Sequence, residues 1–146
     1  MKRDQVKERY KWKIEDIFTT DGDWEKCFAE TEKSLKFSEY AGKLGNSDTL
    51  LDFFKRHDAF NIHFERLAVY AHMKKDEDAS VSKYGAYYAK INALYSKYAT
   101  ELAFFEPEMA GMDEKYLLSL ISDKRFADYD YELKRIIRRK PHVVSE

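Results

Sequence analysis

The chain has 146 residues, the size of one domain, and its 26 basic residues nearly balance its 27 acidic residues. A net charge near zero argues against nucleic acid or an anionic membrane surface as the main partner, and a hydrophobic content of 44% argues against disorder. The lone Cys27 excludes an intrachain disulfide, and the chain has neither an apolar signal segment nor 18 consecutive apolar residues. We therefore expect a cytoplasmic protein with neither nucleic acid nor a membrane as partner.

Two prolines and five glycines interrupt the chain, so long helices are expected. Residues 1–18 begin with a polar, lysine-rich stretch and are predicted to form an extended lead-in. Thr20 and Asp23 have the spacing of a capping box. This spacing predicts a first helix that starts after Thr20 and ends at the two glycines of segment 41–46.

Two long helices, over residues 47–75 and 80–105, are predicted on either side of a polar turn at 74–80. Apolar and aromatic residues recur along both in alternating steps of four and three, which indicates two packing stripes. A turn centred between residues 77 and 78 predicts an antiparallel hairpin with this pairing: Ala71 with Tyr84, Leu67 with Tyr88, Phe64 with Ile91, Phe60 with Tyr95, His57 with Tyr98, and Phe53 with Leu102.

Shorter helices are predicted for the last third of the chain. Pro107 is expected to end the third helix, and two more helices are expected near residues 113–122 and 126–139. No strand alternation is present. The prediction is an all-α helical bundle with a long antiparallel hairpin, formed by residues 1–146 as a single domain.

Tyrosines crowd the predicted third helix at five positions: Tyr84, Tyr87, Tyr88, Tyr95 and Tyr98. A tyrosine hydroxyl needs a hydrogen-bond partner, so two interpretations are open. The stripe is either a core stripe whose polar tips reach the surface, which we favour, or a surface that faces a ligand. Tyr87 lies off the apolar stripe and is therefore the first position to inspect.

The stretch "HFERL" at residues 63–67 has some likeness to the zinc-peptidase motif HExxH. That motif places two histidines at i and i+4 with the glutamate next to the first, whereas Glu65 is two residues after His63 and Leu67 stands in the second position. His72 and Asp76 do have i,i+4 spacing, but two ligands near a helix end make a weak, open site. A metal role is not predicted for His57, His72 or His142. The sequence thus predicts no catalytic residue and no metal ligand, and substrate-binding residues stay unknown.

Charged clusters are predicted to have structural roles. Acidic pairs such as Asp128 and Asp130 are interpreted as turn and cap residues. The basic run at 134–140 is interrupted by two isoleucines and falls at the end of a predicted helix. Its charges would complement the helix dipole there, and this interpretation is favoured over a binding patch.

Six stretches in order resemble the N-terminal helical domain of the oligoendopeptidase F family, which are thimet-oligopeptidase-like zinc metallopeptidases. The stretches are "RYKWKIEDIF" (9–18), "DGDWEKCF" (21–28), "YAGKLGNSDTLLDFF" (40–54), "ERLAVYAHMKKDEDAS" (65–80), "LAFFEPEM" (102–109) and "LKRIIRRKPHVVSE" (133–146). None is diagnostic by itself, but together they cover nearly the whole chain.

The resemblance implies a non-catalytic N-terminal domain of an enzyme that hydrolyses short peptides. The HExxH motif, the zinc ion and the catalytic domain would lie beyond residue 146, so this chain alone would hold no cofactor and be inactive. The resemblance also implies that the helical domain helps to roof the substrate cleft. Its partners would then be the downstream catalytic domain of the same polypeptide and the oligopeptide substrate.

A stand-alone helical module, which grips a partner helix or peptide with its tyrosine face, is the alternative. If the resemblance holds, one face of the bundle packs on the catalytic domain and is exposed in the isolated chain. Aromatic residues off the two stripes are predicted to form that exposed face: Phe54, Tyr70, Tyr87 and Phe104. Self-association of the isolated chain is the expected consequence.

Overall fold

Six α-helices account for most of residues 6–142, the part of the chain that this computed structural model describes. They are α1 (Asp21–Ser34), α2 (Ser47–Glu77), α3 (Ser82–Leu102), α4 (Phe105–Gly111), α5 (Glu114–Ser122) and α6 (Asp130–Arg139). No strand occurs among these residues, so the predicted all-α class is confirmed. Within the described range, no helix combines the length and apolar character needed to cross a membrane.

The described residues form two compact units. The first unit contains residues 6–35 and 59–98, and the second contains residues 36–58 and 99–142. The single-domain assignment of residues 1–146 stays a prediction. Residues 1–5 of the predicted lead-in and residues 143–146 of the last matched stretch lie outside the described part, as does the side chain of His142.

Helix α1 begins where the capping-box spacing predicts. The Thr20 hydroxyl accepts a hydrogen bond from the Asp23 backbone N–H at 3.1 Å, and the Asp23 carboxylate accepts one from the Thr20 N–H at 3.0 Å. The helix ends at Ser34, earlier than predicted. A 3₁₀ turn over Phe37–Tyr40 follows, and both of its aromatic end residues are buried in the second unit.

Trp24 lies at the centre of the first unit and is 0% exposed. Its indole stacks on the rings of Phe28 and Tyr87, with centroids 5.2 and 4.0 Å away. The indole N–H donates to the backbone carbonyl of Leu67 on α2 at 3.0 Å. Trp24 therefore joins α1, α2 and α3 through both apolar area and a buried hydrogen bond.

The lead-in is not an extended segment over its described residues, 6–18. It forms 3₁₀ turns at Glu8–Tyr10 and Ile14–Asp16. Ile14 and Phe18 are buried in the same apolar cluster as Trp24. The Arg66 guanidinium on α2 donates to the Ile17 carbonyl at 2.7 Å and lies over the Phe18 ring. Burial of two large apolar side chains fixes this segment, which the polar composition of its first residues does not reveal.

Contacts between α2 and α3 in the first unit run in opposite directions along the two helices, but the predicted register is wrong by about one helical turn. Phe60 packs on Tyr98 with centroids 4.5 Å apart, where Tyr95 was predicted. The His72 ring contacts Tyr88 at 4.7 Å, where Leu67 was predicted. Tyr95 is consequently 60% exposed, and Phe64 is half-buried rather than central.

The register differs because α2 continues through four charged residues, 74–77, that were assigned to the turn. Lys74 lies over the Tyr70 and Tyr84 rings at 5.6 and 5.5 Å, and Lys75 lies 3.7 Å from the centroid of Tyr88. These cation–π contacts give the two lysines a place in the helix packing. The turn moves toward the C-terminus, and each facing pair shifts with it.

Pro107 lies within the first turn of a helix that the sequence analysis did not predict. Helix α3 ends at Leu102, and α4 begins at Phe105. A proline fits two residues after the start of a helix, because the N–H groups of a first turn have no partner inside the helix. The Glu108 carboxylate on α4 accepts hydrogen bonds from the N–H groups of Gly42 and Leu44, at 2.7 and 2.8 Å.

The basic run at the end of α6 has structural partners. Arg135 bonds to Glu132 and to Glu106 at 2.9 Å, and Arg139 lies 3.4 Å from Glu106. Lys140 donates to the carbonyl of Met112. These contacts support the interpretation of the run as a structural feature.

Replacement of Trp24 by alanine is expected to destabilise the chain by about 3–5 kcal/mol, because it removes a fully buried aromatic side chain and leaves a cavity. Trp12, which is 69% exposed, provides the matched control. Trp12→Ala is expected to change the free energy of unfolding by about 0.5 kcal/mol or less. Urea unfolding followed by circular dichroism measures both, and equal losses of stability would contradict the central role of Trp24.

Candidate functional site

An aromatic cleft of about 290 Å³ opens on the second unit. Residues from the N-terminal half of α2, the α3–α4 region, the 3₁₀ segment Lys124–Tyr129 and the first turn of α6 line it. The lining residues are Phe53, Phe54, His57, Asp58, Leu102, Phe105, Asp128, Tyr129, Tyr131 and Glu132. A concave, mostly apolar surface with a few polar groups is the usual form of a small binding site.

Two pairs of stacked rings form the apolar walls of the cleft. Phe53 stacks on Phe105 with centroids 4.9 Å apart, and Phe54 stacks on Tyr129 at 4.6 Å. Phe53 and Phe54 are consecutive on α2, so their side chains diverge by about 100° and stack on different rings, although Phe54 also meets Phe105 edge-on at 6.1 Å. The Tyr131 ring also lines the cleft and is 74% exposed, which leaves it available at the solvent end.

Carboxylates provide the polar side of the cleft. The Tyr129 hydroxyl donates to Asp58 at 3.0 Å. Burial of the phenol raises the pKa of Tyr129 to about 12, and the bond to Asp58 acts in the same direction. Asp128 and Glu132 are the other two acidic residues, and no lysine or arginine is among the lining residues. The side of the cleft is therefore acidic.

His57 is half-buried between aromatic rings and the acidic side of the cleft. Its imidazole stacks on Phe53 at 5.8 Å and meets Phe37 edge-on at 6.0 Å. Its Nδ1 lies 4.0 Å from a carboxylate oxygen of Asp58. Burial lowers the pKa of His57, whereas the negative charges of Asp58 and Glu132 oppose the shift. The imidazole is thus neutral at pH 7.

The lining residues suit binding better than catalysis. They include no serine, threonine, cysteine or lysine that could act as a nucleophile. Groups of three His, Cys, Asp or Glu side chains able to hold a metal ion are absent from the described side chains of residues 6–141. The assignment of no catalytic residue and no metal ligand to the chain stays a prediction.

The predicted tyrosine stripe has mostly structural partners. The Tyr87 hydroxyl donates to Glu25, and its buried ring stacks on Trp24. The Tyr98 hydroxyl donates to Asn61 at 2.8 Å. Of the two interpretations, the structure favours the core stripe, with Tyr95 as its exposed member.

The predicted exposed aromatic face is wrong. Phe54, Tyr70 and Tyr87 are buried, and Phe104 is partly buried. Tyr70 and Tyr87 pack in the cluster around Trp24 in the first unit, whereas Phe54 and Phe104 contact Phe53 in the second. Their position off the two predicted stripes reflects contacts with other segments of the same unit, because each helix has more than one neighbour.

The remaining histidines of the described side chains are not brought together. His63 lies 3.9 Å from the sulfur of Cys27, a weak contact at the surface of the first unit. His72 contacts Tyr88. His57 is in the second unit. Among the described side chains, His63 belongs to no group of three His, Cys, Asp or Glu side chains that could hold a metal ion, and the absence of a metal role for "HFERL" stays a prediction.

The sequence analysis did not find the aromatic cleft, because its residues come from segments about 50 to 80 positions apart. Asp128 was interpreted as a turn residue, and Tyr129 and Tyr131 were not singled out. A local signal does exist in "DYDYE" (128–132), where acidic and aromatic residues alternate. Such alternation indicates that acidic and aromatic side chains occur close together, but it does not identify the residues on the opposite wall of the cleft.

Comparison with known proteins gives a consistent set of relatives, although no family model matches the chain. The chain is 32% identical over 147 residues to group B oligopeptidase PepB of Streptococcus agalactiae. It is 33% identical over 147 residues to oligopeptidase PepF of Bacillus subtilis, and 32% identical over 149 residues to chromosomal oligoendopeptidase F of Lactococcus lactis subsp. cremoris.

Coverage in these matches is strongly asymmetric. Each match includes 99% of this chain, but only 24%, 22% and 25% of the respective relative. The chain therefore spans about a quarter of the length of these relatives, and it matches the N-terminal quarter of oligoendopeptidase F-type peptidases.

A solved structure shows the same fold. The crystal structure of a proposed peptidase from Chlamydophila abortus matches with a TM-score of 0.87 at 21% identity. The match covers 99% of this chain and 25% of that protein.

The titration of His57 tests the electrostatics of the cleft. Nuclear magnetic resonance of its ring protons is expected to give a pKa below the ordinary value of about 6.5, because burial disfavours the imidazolium. Asp58→Asn is expected to lower the pKa of His57 further, since Asp58 favours the charged form.

The same pKa shift gives the sign of a stability change. Because the unfolded chain takes up the proton first, stability that depends on neutral His57 is complete above about pH 6.5 and is lost as the pH falls through the lower folded pKa. A His57 pKa at or above 6.5, or a rise in that pKa with Asp58→Asn, would contradict this description.

Proposed function

We propose that the chain is the non-catalytic N-terminal helical part of an oligoendopeptidase F-like zinc metalloendopeptidase that hydrolyses short peptides. The coverage of its relatives is the observation that supports this proposal. Matches to 99% of the chain but to about a quarter of each oligopeptidase leave most of each relative without a counterpart. The chain is then part of an enzyme only together with a downstream catalytic domain.

The chemistry of the side chains is in accord with a supporting role. The 146 residues contain no HExxH motif, and no serine, threonine, cysteine or lysine lines the aromatic cleft. In the proposed enzyme, zinc and its ligands belong to the catalytic domain, where a zinc-bound water supplies the nucleophile. The helical part helps to roof the cleft and limits entry to short peptides.

A cytoplasmic location is part of the same proposal. The lone Cys27 is a free thiol, so the described fold does not depend on an oxidising compartment. Fractionation of the producing cells, with immunodetection of the chain, measures its location. Recovery of the chain mainly outside the cytoplasmic fraction would contradict the assignment.

A stand-alone helical interaction module is the second candidate. The aromatic cleft favours it, because all ten lining residues belong to the second unit of this chain. A module of this kind would bind its partner without any catalytic domain.

Sequencing of the coding region beyond the codon for Glu146 separates the two candidates. An open reading frame that continues into an HExxH motif on a predicted helix would support the peptidase. A stop codon directly after Glu146 would instead support the interaction module.

The isolated chain is expected to be inactive and to retain no zinc. Metal analysis after dialysis is expected to give far less than one zinc per chain, and a quenched fluorescent peptide is expected to remain intact. Bacillus subtilis PepF serves as the positive control for the peptide assay. Stoichiometric zinc or turnover above the buffer rate would overturn the assignment of the chemistry to another domain.

Self-association of the isolated chain is a further part of the proposal. Exposed side chains of the first unit support it, in place of the aromatic face that was predicted around Tyr87. Tyr87 is buried, whereas large side chains such as Tyr10, Trp12 and Tyr95 are exposed in the first unit. Exposed apolar and aromatic surface favours association. Sedimentation velocity at several concentrations is expected to show dimers or larger species. A sedimentation coefficient that stays at the monomer value at every concentration, for the unaltered chain as well as for Trp12→Ala, would rule out self-association.

A further inference from the structure

We propose that the aromatic cleft of the second unit binds the side chain of an arginine presented by a peptide. The cleft combines flat aromatic walls, an acidic side and a volume of about 290 Å³. The proposal concerns this chain alone. It therefore holds or fails independently of whether a catalytic domain follows.

The walls suit a flat cation. Phe53 and Phe54 are buried and support the cleft from within, whereas Phe105 and Tyr129, their stacking partners, are half-buried and Tyr131 is exposed, so these three residues provide the accessible aromatic surface. Aromatic faces attract a guanidinium through the ring quadrupole, and the methylene groups of an arginine stem bury apolar area against the same rings. A purely aliphatic ligand would use the rings but not the charged side of the cleft.

The charge of the cleft selects a cation. Asp58, Asp128 and Glu132 line it, and the lining contains no lysine or arginine. Glu132 already bonds to Arg135, so its negative charge is partly compensated. Asp58 accepts only the neutral hydroxyl of Tyr129 and lies beside a neutral imidazole. Asp58 and Asp128 therefore carry most of the uncompensated negative charge.

Arginine fits this arrangement better than lysine. A guanidinium can stack on an aromatic face and at the same time donate a pair of hydrogen bonds to a carboxylate. An ammonium is compact and more strongly hydrated, and it has no flat face to place against a ring. The guanidinium of arginine can therefore contact the aromatic rings and the exposed carboxylates of the cleft at the same time.

Binding of three short peptides to the 146-residue chain tests the proposal. The probes are acetyl-Gly-Arg-Gly-amide, the same peptide with lysine, and the same peptide with citrulline, which keeps the shape of arginine but has no charge. Titrations followed by ¹H–¹⁵N correlation spectra are expected to give saturable shifts at Asp128, Tyr129 and Tyr131. The lysine and citrulline peptides are expected to bind about tenfold more weakly or worse.

Variants with matched charge changes locate the effect. Asp58→Asn combined with Asp128→Asn is expected to weaken binding of the arginine peptide about tenfold. Asp76→Asn combined with Asp16→Asn changes the net charge equally but lies in the first unit, and it is expected to leave binding unchanged. Superimposable circular dichroism spectra establish that the variants are folded.

Three results would overturn the proposal. They are equal binding of the arginine and citrulline peptides, equal binding of the arginine and lysine peptides, and saturable shifts confined to the first unit. Equal weakening by the two double variants would show attraction by net charge only and would also overturn it. None of these results bears on the peptidase assignment, which depends on the coding region beyond residue 146.

Discussion

Hydrogen bonds donated by buried and half-buried tyrosine and tryptophan side chains organise both units of the chain. Most of the partners are acidic side chains or backbone carbonyls on another segment of the same unit. In the first unit, Trp24 donates to the Leu67 carbonyl, Tyr70 to Asp21 and Tyr87 to Glu25; in the second, Tyr40 donates to Asp52 and Tyr129 to Asp58. Each such bond fixes the position of one helix or turn along another.

The partners in the first unit are themselves tied together. Lys83 on α3 lies 3.0 Å from Asp21 and 3.7 Å from Glu25, the two acids that receive the hydroxyls of Tyr70 and Tyr87. Asp21 is also in the first turn of α1, where a negative charge is favourable. One small polar group therefore connects three helices next to the apolar cluster of Trp24. A hydrophobic stripe alone would permit the helices to slide, but these directional bonds do not.

Local features of the fold were predictable from the sequence, and distant ones were not. The capping box of Thr20 and Asp23 depends on residues three apart, and it forms as predicted. The register of α2 against α3 depends on where the turn between them ends. Because tyrosines recur along α3 about one helical turn apart, a shift of one turn replaces one tyrosine of a facing pair by the next. In the structure α2 extends to Glu77, and its last turn places Lys74 and Lys75 over tyrosine rings of α3.

The aromatic cleft illustrates the same limit for function. Its walls come from α2 and from residues 102–132, so no stretch of the sequence contains the site. The absence of HExxH from the sequence could be established from residue spacing, since the three specified residues of that motif lie within five consecutive positions. A binding site made from several segments has no such fixed spacing. The sequence pointed instead to the tyrosine stripe of α3, whose hydroxyls have mostly structural partners.

Glu108 on α4 holds two backbone amides of the loop between α1 and α2, although part of this loop is exposed to solvent. Its carboxylate accepts the amide hydrogens of Gly42 and Leu44, although Gly42 lies in a solvent-exposed turn with a left-handed backbone at φ 74°. An amide held in this way exchanges with solvent only when the bond opens. Exchange at these two positions therefore reports how often the contact between this loop and α4 opens.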